Sequence, residues 1–164
     1  WNYHHGLRMT KEEVRQEGKE IEGDPQIKAR IRSLQREVAR RRMMQAIPQA
    51  DVVVTNPLHF AVALKYDEKG MSAPVVLAKG AQLVAERIKE LAREHRVPVV
   101  EAPPLARALH RHVDVGDVIP GALFTAVAQV LAYVYQLNQS LNPAPPSDWQ
   151  VPPKLDPASR GVAG

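Results

Sequence analysis

Residues 51–66 read D-V-V-V-T-N-P-L-H-F-A-V-A-L-K-Y, two β-branched or apolar runs on either side of a four-residue break. Asp51–Thr55 and Phe60–Tyr66 are each too short for a helix and too apolar for a loop, so the stretch predicts two successive strands buried on both faces. Downstream, Ala73–Ala78 (A-P-V-V-L-A) and Val97–Val100 predict a third and a fourth strand. Between them, Ala81–His95 carries Leu83, Val84, Ile88 and Leu91 at helical spacing. Leu105–Leu109 after Pro103 and Pro104, and Gly121–Leu137 after Pro120, predict two further helices, because proline is suited to a helix start. Strands interleaved with helices imply an α/β fold, a small central mixed sheet of about four strands surrounded by helices.

Upstream of this domain, Thr10 followed by Lys11, Glu12 and Glu13 predicts a marginal exposed helix over 10–22. Asp24-Pro25 opens a second helix, in which Ile27, Ile31, Leu34 and Val38 form one narrow apolar stripe up to Pro48. Such a stripe packs on its own domain or on a neighbouring subunit. From Asn142 on, six prolines among small and polar residues predict an extended, disordered Pro-rich tail. Trp149 within it is a candidate docking anchor, set against the commoner reading of a lone aromatic in a flexible segment. The chain thus divides into a linker and basic helical arm (1–47), an α/β domain (48–138) and a Pro-rich tail (139–164).

The chain has 164 residues and a net charge of +4, and its charge is uneven. Residues 1–50 hold 11 Lys/Arg against 7 Asp/Glu, 51–140 hold 9 against 9, and the remainder 2 against 2. Lys28, Arg30, Arg32, Arg36, Arg40, Arg41 and Arg42 concentrate the excess on the arm, opposed there by Glu37. A solvated helix face competes with an anionic membrane surface or acidic partner. Nucleic acid is disfavoured, because the aromatic interleaving of single-strand binders is absent. There is no cysteine, which excludes disulfides and thiolate chemistry. His110 and His112 flank Arg111, and His4 adjoins His5, but two nitrogens without a third ligand from nearby sequence make a weak metal site, and no metal is expected. No Gly-rich phosphate loop follows a predicted strand, and no cofactor is expected. The chain begins at Trp1 without a signal segment, which predicts a piece of a longer protein.

The break itself, Thr55-Asn56-Pro57-Leu58-His59, is where chemistry is possible. As a dipeptide, Asn-Pro is an ordinary turn signal. The Asn56 side-chain amide nitrogen can also reach its own backbone carbonyl carbon, close a succinimide ring and expel the Pro57 nitrogen. The usual competitor, attack of the following backbone nitrogen on the asparagine side chain, needs an N–H that Pro57 lacks. An amide nitrogen is a poor nucleophile and the leaving amine needs a proton. A strained turn between fixed strands can supply geometry. His59 is the candidate for proton transfer or for shaping the turn.

At this point the residues resemble the cytoplasmic domain of the FlhB/YscU proteins, switch components of the export gates of flagellar and virulence type III secretion. The resemblance includes N-P-L-H, M-T-K-E-E-V-R-Q-E from Met9, E-G-D-P-Q-I-K-A-R-I-R from Glu22 and A-R-R-R-M-M from Ala39. A-V-A-L-K-Y from Ala61, A-P-V-V-L-A-K-G from Ala73 and P-L-A-R-A-L from Pro104 extend it through residues 7–137. The basic arm and the A-K-G segment are similar to the flagellar branch. The family pattern is N-P-T-H, and Leu58 stands here in place of threonine, which bears on rate because leucine cannot hydrogen-bond within the turn.

The resemblance implies a transmembrane portion before Trp1 and a domain beneath the bacterial inner membrane, with Trp1, Asn2 and Tyr3 at the interface. It implies a single-turnover self-cleavage between Asn56 and Pro57, not a multi-turnover enzyme, with the two pieces remaining associated. The cut lets export change from rod and hook substrates to filament substrates. Other export-gate components, the exported proteins and a hook-length control protein are the implied partners. An apolar patch for early substrates would fall on Ala73, Pro74, Ala128 and Leu131, residues whose other reading is plain core packing. The alternative is an uncleaved α/β interaction module whose basic arm binds anionic membrane or an acidic partner.

Overall fold

The computed structural model describes residues 24–139, 145–146 and 149–158. The helix expected over 10–22, the residues Trp1 to Tyr3 and the His4-His5 pair lie outside them. Two compact units divide at Arg41/Arg42. Helix α1 (Pro25–Ala46) begins where Asp24 Oδ1 accepts the Gln26 N–H at 2.9 Å, the cap that the Asp-Pro start predicted. Along it Ile27, Ile31, Leu34 and Val38 are all exposed, at 36–52%.

In the second unit, a 3-10 turn at Ile47–Gln49 leads into β1 (Val52–Asn56), followed by β2 (Phe60–Lys65), β3 (Val75–Ala81), α2 (Leu83–Glu94), β4 (Val99–Glu101), α3 (Pro103–His112) and α4 (Phe124–Asn138). The sheet order is β3-β2-β1-β4. β1 runs antiparallel to β2 and parallel to β4, and β2 runs antiparallel to β3, so the sheet is mixed as expected.

Alternation along the two central strands splits the core in two. Val52, Val54, Val62 and Leu64 face α3 and α4, with Leu105, Leu109, Val127 and Val130 buried against them. Val53, Ala61 and Ala63 face the other way, toward Ile47 and the α2 residues Ala85, Ile88 and Ala92. The expectation of burial on both faces therefore holds for β1 and β2. β3 alternates buried and half-buried residues, as an edge strand does. Residues 116–119 cover part of that edge, through hydrogen bonds from Gly116 N–H to Val76 O and from Ile119 N–H to Pro74 O.

Several boundaries shift for local reasons. β3 starts at Val75 because Pro74 has no N–H to give a ladder, and it runs on through Lys79-Gly80-Ala81, which pair with Val62, Ala61 and Phe60. β4 begins at Val99, not Val97, whose N–H instead closes the end of α2 on Ala92 O. Pro103 and Pro104 lie inside the first turn of α3 rather than before it. Leu83, expected on the apolar face of α2, is 85% exposed.

The Pro-rich tail follows the domain as expected. Residues 149–152 carry no regular structure, as their composition predicted, but residues 149–158 are seated on the domain rather than free of it. Trp149 is 7% exposed and meets Tyr133 edge-on at 6.4 Å between centroids. Val151 and Leu155 pack against the same core, and the Gln150 N–H donates to Gln129 Oε1 at 3.1 Å.

Candidate functional site

β1 and β2 are joined by Pro57-Leu58-His59, with Asn56 and Phe60 as the last cross-strand pair. The His59 N–H donates to the Asn56 carbonyl at 3.0 Å, closing a four-residue turn with proline at its second position. Leu58, at the third, has φ +69° and is 76% exposed. This is the left-handed region, favoured by glycine and costly for a residue with a Cβ by about 1–2 kcal/mol. Proline fixes the preceding φ, and the hairpin pairing leaves Leu58 no other way to turn the chain.

Both ends of the turn are anchored. Thr55 is 3% exposed, its carbonyl accepts the Ala102 N–H at 3.0 Å, and its hydroxyl reaches Val100 O at 3.5 Å. On the other side the His59 carbonyl accepts the Gln82 N–H at 3.0 Å. Gln82 itself is held at φ +54° just before α2. Asn56 is half-buried between these anchors, while Pro57, Leu58 and His59 project into solvent.

The imidazole of His59 lies 6.3 Å from the Phe60 ring, which stacks on His110 of α3 at 4.4 Å with 28° between planes. Lys79 Nζ donates to the His110 carbonyl at 3.0 Å and lies 3.7 Å from Asp114 Oδ1. Burial, and secondarily the Lys79 ammonium, hold the His110 imidazole below its ordinary value, favouring its uncharged form. The sequence offered His110 only as part of a weak metal pair and gave no site role to Phe60 or Lys79. The signal was the strand register, since Lys79 pairs with Val62 and so shares a sheet face with Phe60. Among the described residues no group of three His, Asp or Glu could hold a metal ion.

Ala128 and Leu131 come together on one side of α4, where with Tyr66, Glu68 and Tyr135 they line an open groove of about 540 Å³. Ala73 and Pro74 are not among its lining residues. Ala73 is 5% exposed, and Pro74 is half-buried beside Ile119. The aromatic walls Tyr66 and Tyr135 were missed, because a tyrosine at a strand end and one on a helix carry no joint signal in sequence. No helix among the described residues is long and apolar enough to cross a membrane.

Comparison with known proteins gives this geometry a lineage. The chain is 56% identical over 155 residues to the flagellar biosynthetic protein FlhB of Salmonella typhimurium, covering 92% of this chain and 40% of that protein. It is 47% identical over 141 residues to FlhB of Bacillus subtilis, covering 86% of this chain and 39% of that protein. The chain thus spans about two fifths of the length of these curated relatives. Among solved structures, the cytoplasmic domain of FlhB from Shewanella putrefaciens matches with a TM-score of 0.68 and 48% identity, over 71% of this chain and 95% of that one. The C-terminal domain of EscU carrying an asparagine-to-alanine substitution matches at 0.54 and 32% identity, over 56% of this chain and 92% of that one. With residues 1–134 matched by the model of the FlhB HrpN YscU SpaS family, the chain belongs to that family.

Proposed function

We propose that this chain is the cytoplasmic part of a flagellar type III export component that cleaves itself once between Asn56 and Pro57 and helps change the export specificity of the apparatus. The parent protein would sit in the bacterial inner membrane. The observation that carries the reading is the asparagine-proline bond at a turn anchored on both sides, with a branched side chain forced into the left-handed region beside it. In the reaction Asn56 Nδ2 attacks the Asn56 carbonyl carbon, a C–N bond forms and the bond to the Pro57 nitrogen breaks. One proton leaves Nδ2 and one is taken up by the departing proline nitrogen, with His59 as the candidate to relay it or to shape the turn. Water then opens the succinimide. The asparagine is consumed, so the reaction turns over once and needs no cofactor.

The hairpin holds the reacting atoms of one residue in place, which contributes the positioning an amide nucleophile needs. After the cut, β1 and β2 remain paired and the domain stays assembled around its two cores. Export substrates and the hook-length control protein are the expected ligands of the domain, alongside other gate components. The groove at Ala128 and Leu131 is the surface offered to early substrates, with Ala73 and Pro74, just before β3, as the remaining residues of the proposed patch. Intact mass of denatured wild type beside Asn56→Ala tests the reading. Wild-type fragments of 56 and 108 residues with the variant whole support it. A variant cut at the same bond eliminates cyclisation by Asn56.

A second reading is favoured by the exposed stripe of α1 among its arginines. Here the chain is an uncleaved module whose basic arm lies on anionic lipid or an acidic partner. Wild type that stays whole, together with salt-sensitive flotation on phosphatidylserine vesicles lost when Arg40, Arg41 and Arg42 are replaced, favours this over self-cleavage.

A further inference from the structure

Residues directly paired across antiparallel strands project to the same side of the sheet. Asn56 pairs with Phe60, and inward along the hairpin Val54 pairs with Val62 and Val52 with Leu64. Those four aliphatic residues belong to the core that faces α3 and α4, and Phe60 packs against it. The Asn56 side chain therefore leaves the sheet on the α3 side, with the Phe60 ring as its cross-strand neighbour. That ring is fixed by stacking on His110 at 4.4 Å. His110 is the third-last residue of α3, and the Lys79 ammonium grips its carbonyl at 3.0 Å from the facing strand. An uncharged imidazole stacks on phenyl without the desolvation cost of an imidazolium, and the depressed pKa keeps it in that form.

We propose that Phe60, His110 and Lys79 form a side wall that restricts the rotamers of Asn56 and so positions its amide nitrogen for attack on its own carbonyl. The inference rests on the cyclisation reading above. Cyclisation needs the side-chain nitrogen close to the main-chain carbonyl carbon, one of several staggered arrangements open to a free asparagine. A rigid ring beside it on the cross-strand position removes arrangements that lead away from attack. His110 touches no reacting atom. It is a positioning residue acting through Phe60, and Lys79 acts through His110.

The test uses the whole 164-residue chain, synthesised in a cell-free mixture, with samples quenched in denaturant over time and scored by intact mass. Wild type, His110→Ala, His110→Phe and Lys79→Met are compared, and thermal midpoints of the same variants are taken in the uncut Asn56→Ala background. His110→Ala is expected to slow cleavage by about tenfold, of the size that loss of precise positioning costs. His110→Phe keeps an aromatic stack and is expected to restore the rate to within about threefold of wild type, and Lys79→Met to fall between. Equal rates for wild type and His110→Ala would overturn this inference alone. So would His110→Phe as slow as His110→Ala while its midpoint matches wild type, since the stack would then be irrelevant. A wild-type chain that never cuts overturns the cyclisation reading and the side wall with it.

Discussion

Arg107 on α3 holds Asp156 of the C-terminal segment in a two-pronged grip, Nε to Oδ1 at 2.7 Å and Nη2 to Oδ2 at 3.0 Å. The hydrogen bond to Asp156 raises the arginine pKa further above its ordinary value against the opposing effect of burial. The Asp156 side chain is 10% exposed and that of Arg107 23%. A paired fork of this kind is the strong form of ion pair. Removing one partner leaves the other poorly solvated.

Asp156→Ala is accordingly expected to cost about 2 kcal/mol, below the range for a fully buried pair because Arg107 keeps some water. It should also loosen the segment enough that trypsin cuts after Lys154 at concentrations that leave wild type intact. A double-mutant cycle with Arg107→Ala should return a coupling of about 1 kcal/mol or more. Additive effects of the two changes would show the grip to be structurally incidental.

At the turn, φ +69° at Leu58 sets an order among substitutions. In the uncut Asn56→Ala background, Leu58→Gly is expected to raise stability by about 0.5–1 kcal/mol. Leu58→Thr should lower it by a similar amount, since a β-branched residue tolerates positive φ least. In the cleaving chain the strain is released by the cut, so the rate should run Thr, then Leu, then Gly. Cleavage time courses read this directly, and the reverse order would show that the turn stores nothing the reaction uses.

His110 gives a pH dependence with a definite sign. Its folded pKa lies below the ordinary histidine value of about 6.5, so the unfolded chain takes up the proton first as pH falls. Its contribution is fully present above about 6.5 and is lost as pH falls from there toward the folded pKa. Melts of the uncut variant between pH 7.5 and 5.5 should show this decline, and adding His110→Phe should remove that component. An unchanged slope would mean that His110 is as free to protonate folded as unfolded.

Gly80 on β3 lies where α2 crosses most closely. A Cβ built there would stand 2.8 Å from Val84 Cβ and 3.3 Å from Ile88 Cδ1. Gly80→Ala should therefore destabilise the domain by about 2 kcal/mol through overpacking, measured as a lowered urea midpoint with unchanged slope. Combining it with Val84→Ala should recover most of the loss.

The four strands and three domain helices were readable because each carries its own local signal, as with the valines of β1 and the proline starts of α3 and α4. The turn at Asn56-Pro57 was readable because an asparagine-proline pair is itself a local turn signal. What escaped depends on contacts distant in sequence. Phe60 and His110 are 50 residues apart and Arg107 and Asp156 49 apart, and neither pair announces itself by spacing. The tail is instructive, because its prolines fit the irregular backbone of residues 149–152 yet say nothing about docking. Trp149 and Asp156 decide that, through surfaces that α3 and α4 create only once folded.

The strand order carries a mechanical consequence. A break between residues 56 and 57 would leave the N-terminal piece with β1 as its one strand among the described residues, held between β2 on one flank and β4 on the other. Tension drawn along β1 would load both flanking ladders together, as a rope clamped from two sides, instead of peeling bonds one after another. Such a joint bears a pull across the severed backbone while remaining non-covalent, so the two pieces can transmit force as one body and still part when the sheet itself opens.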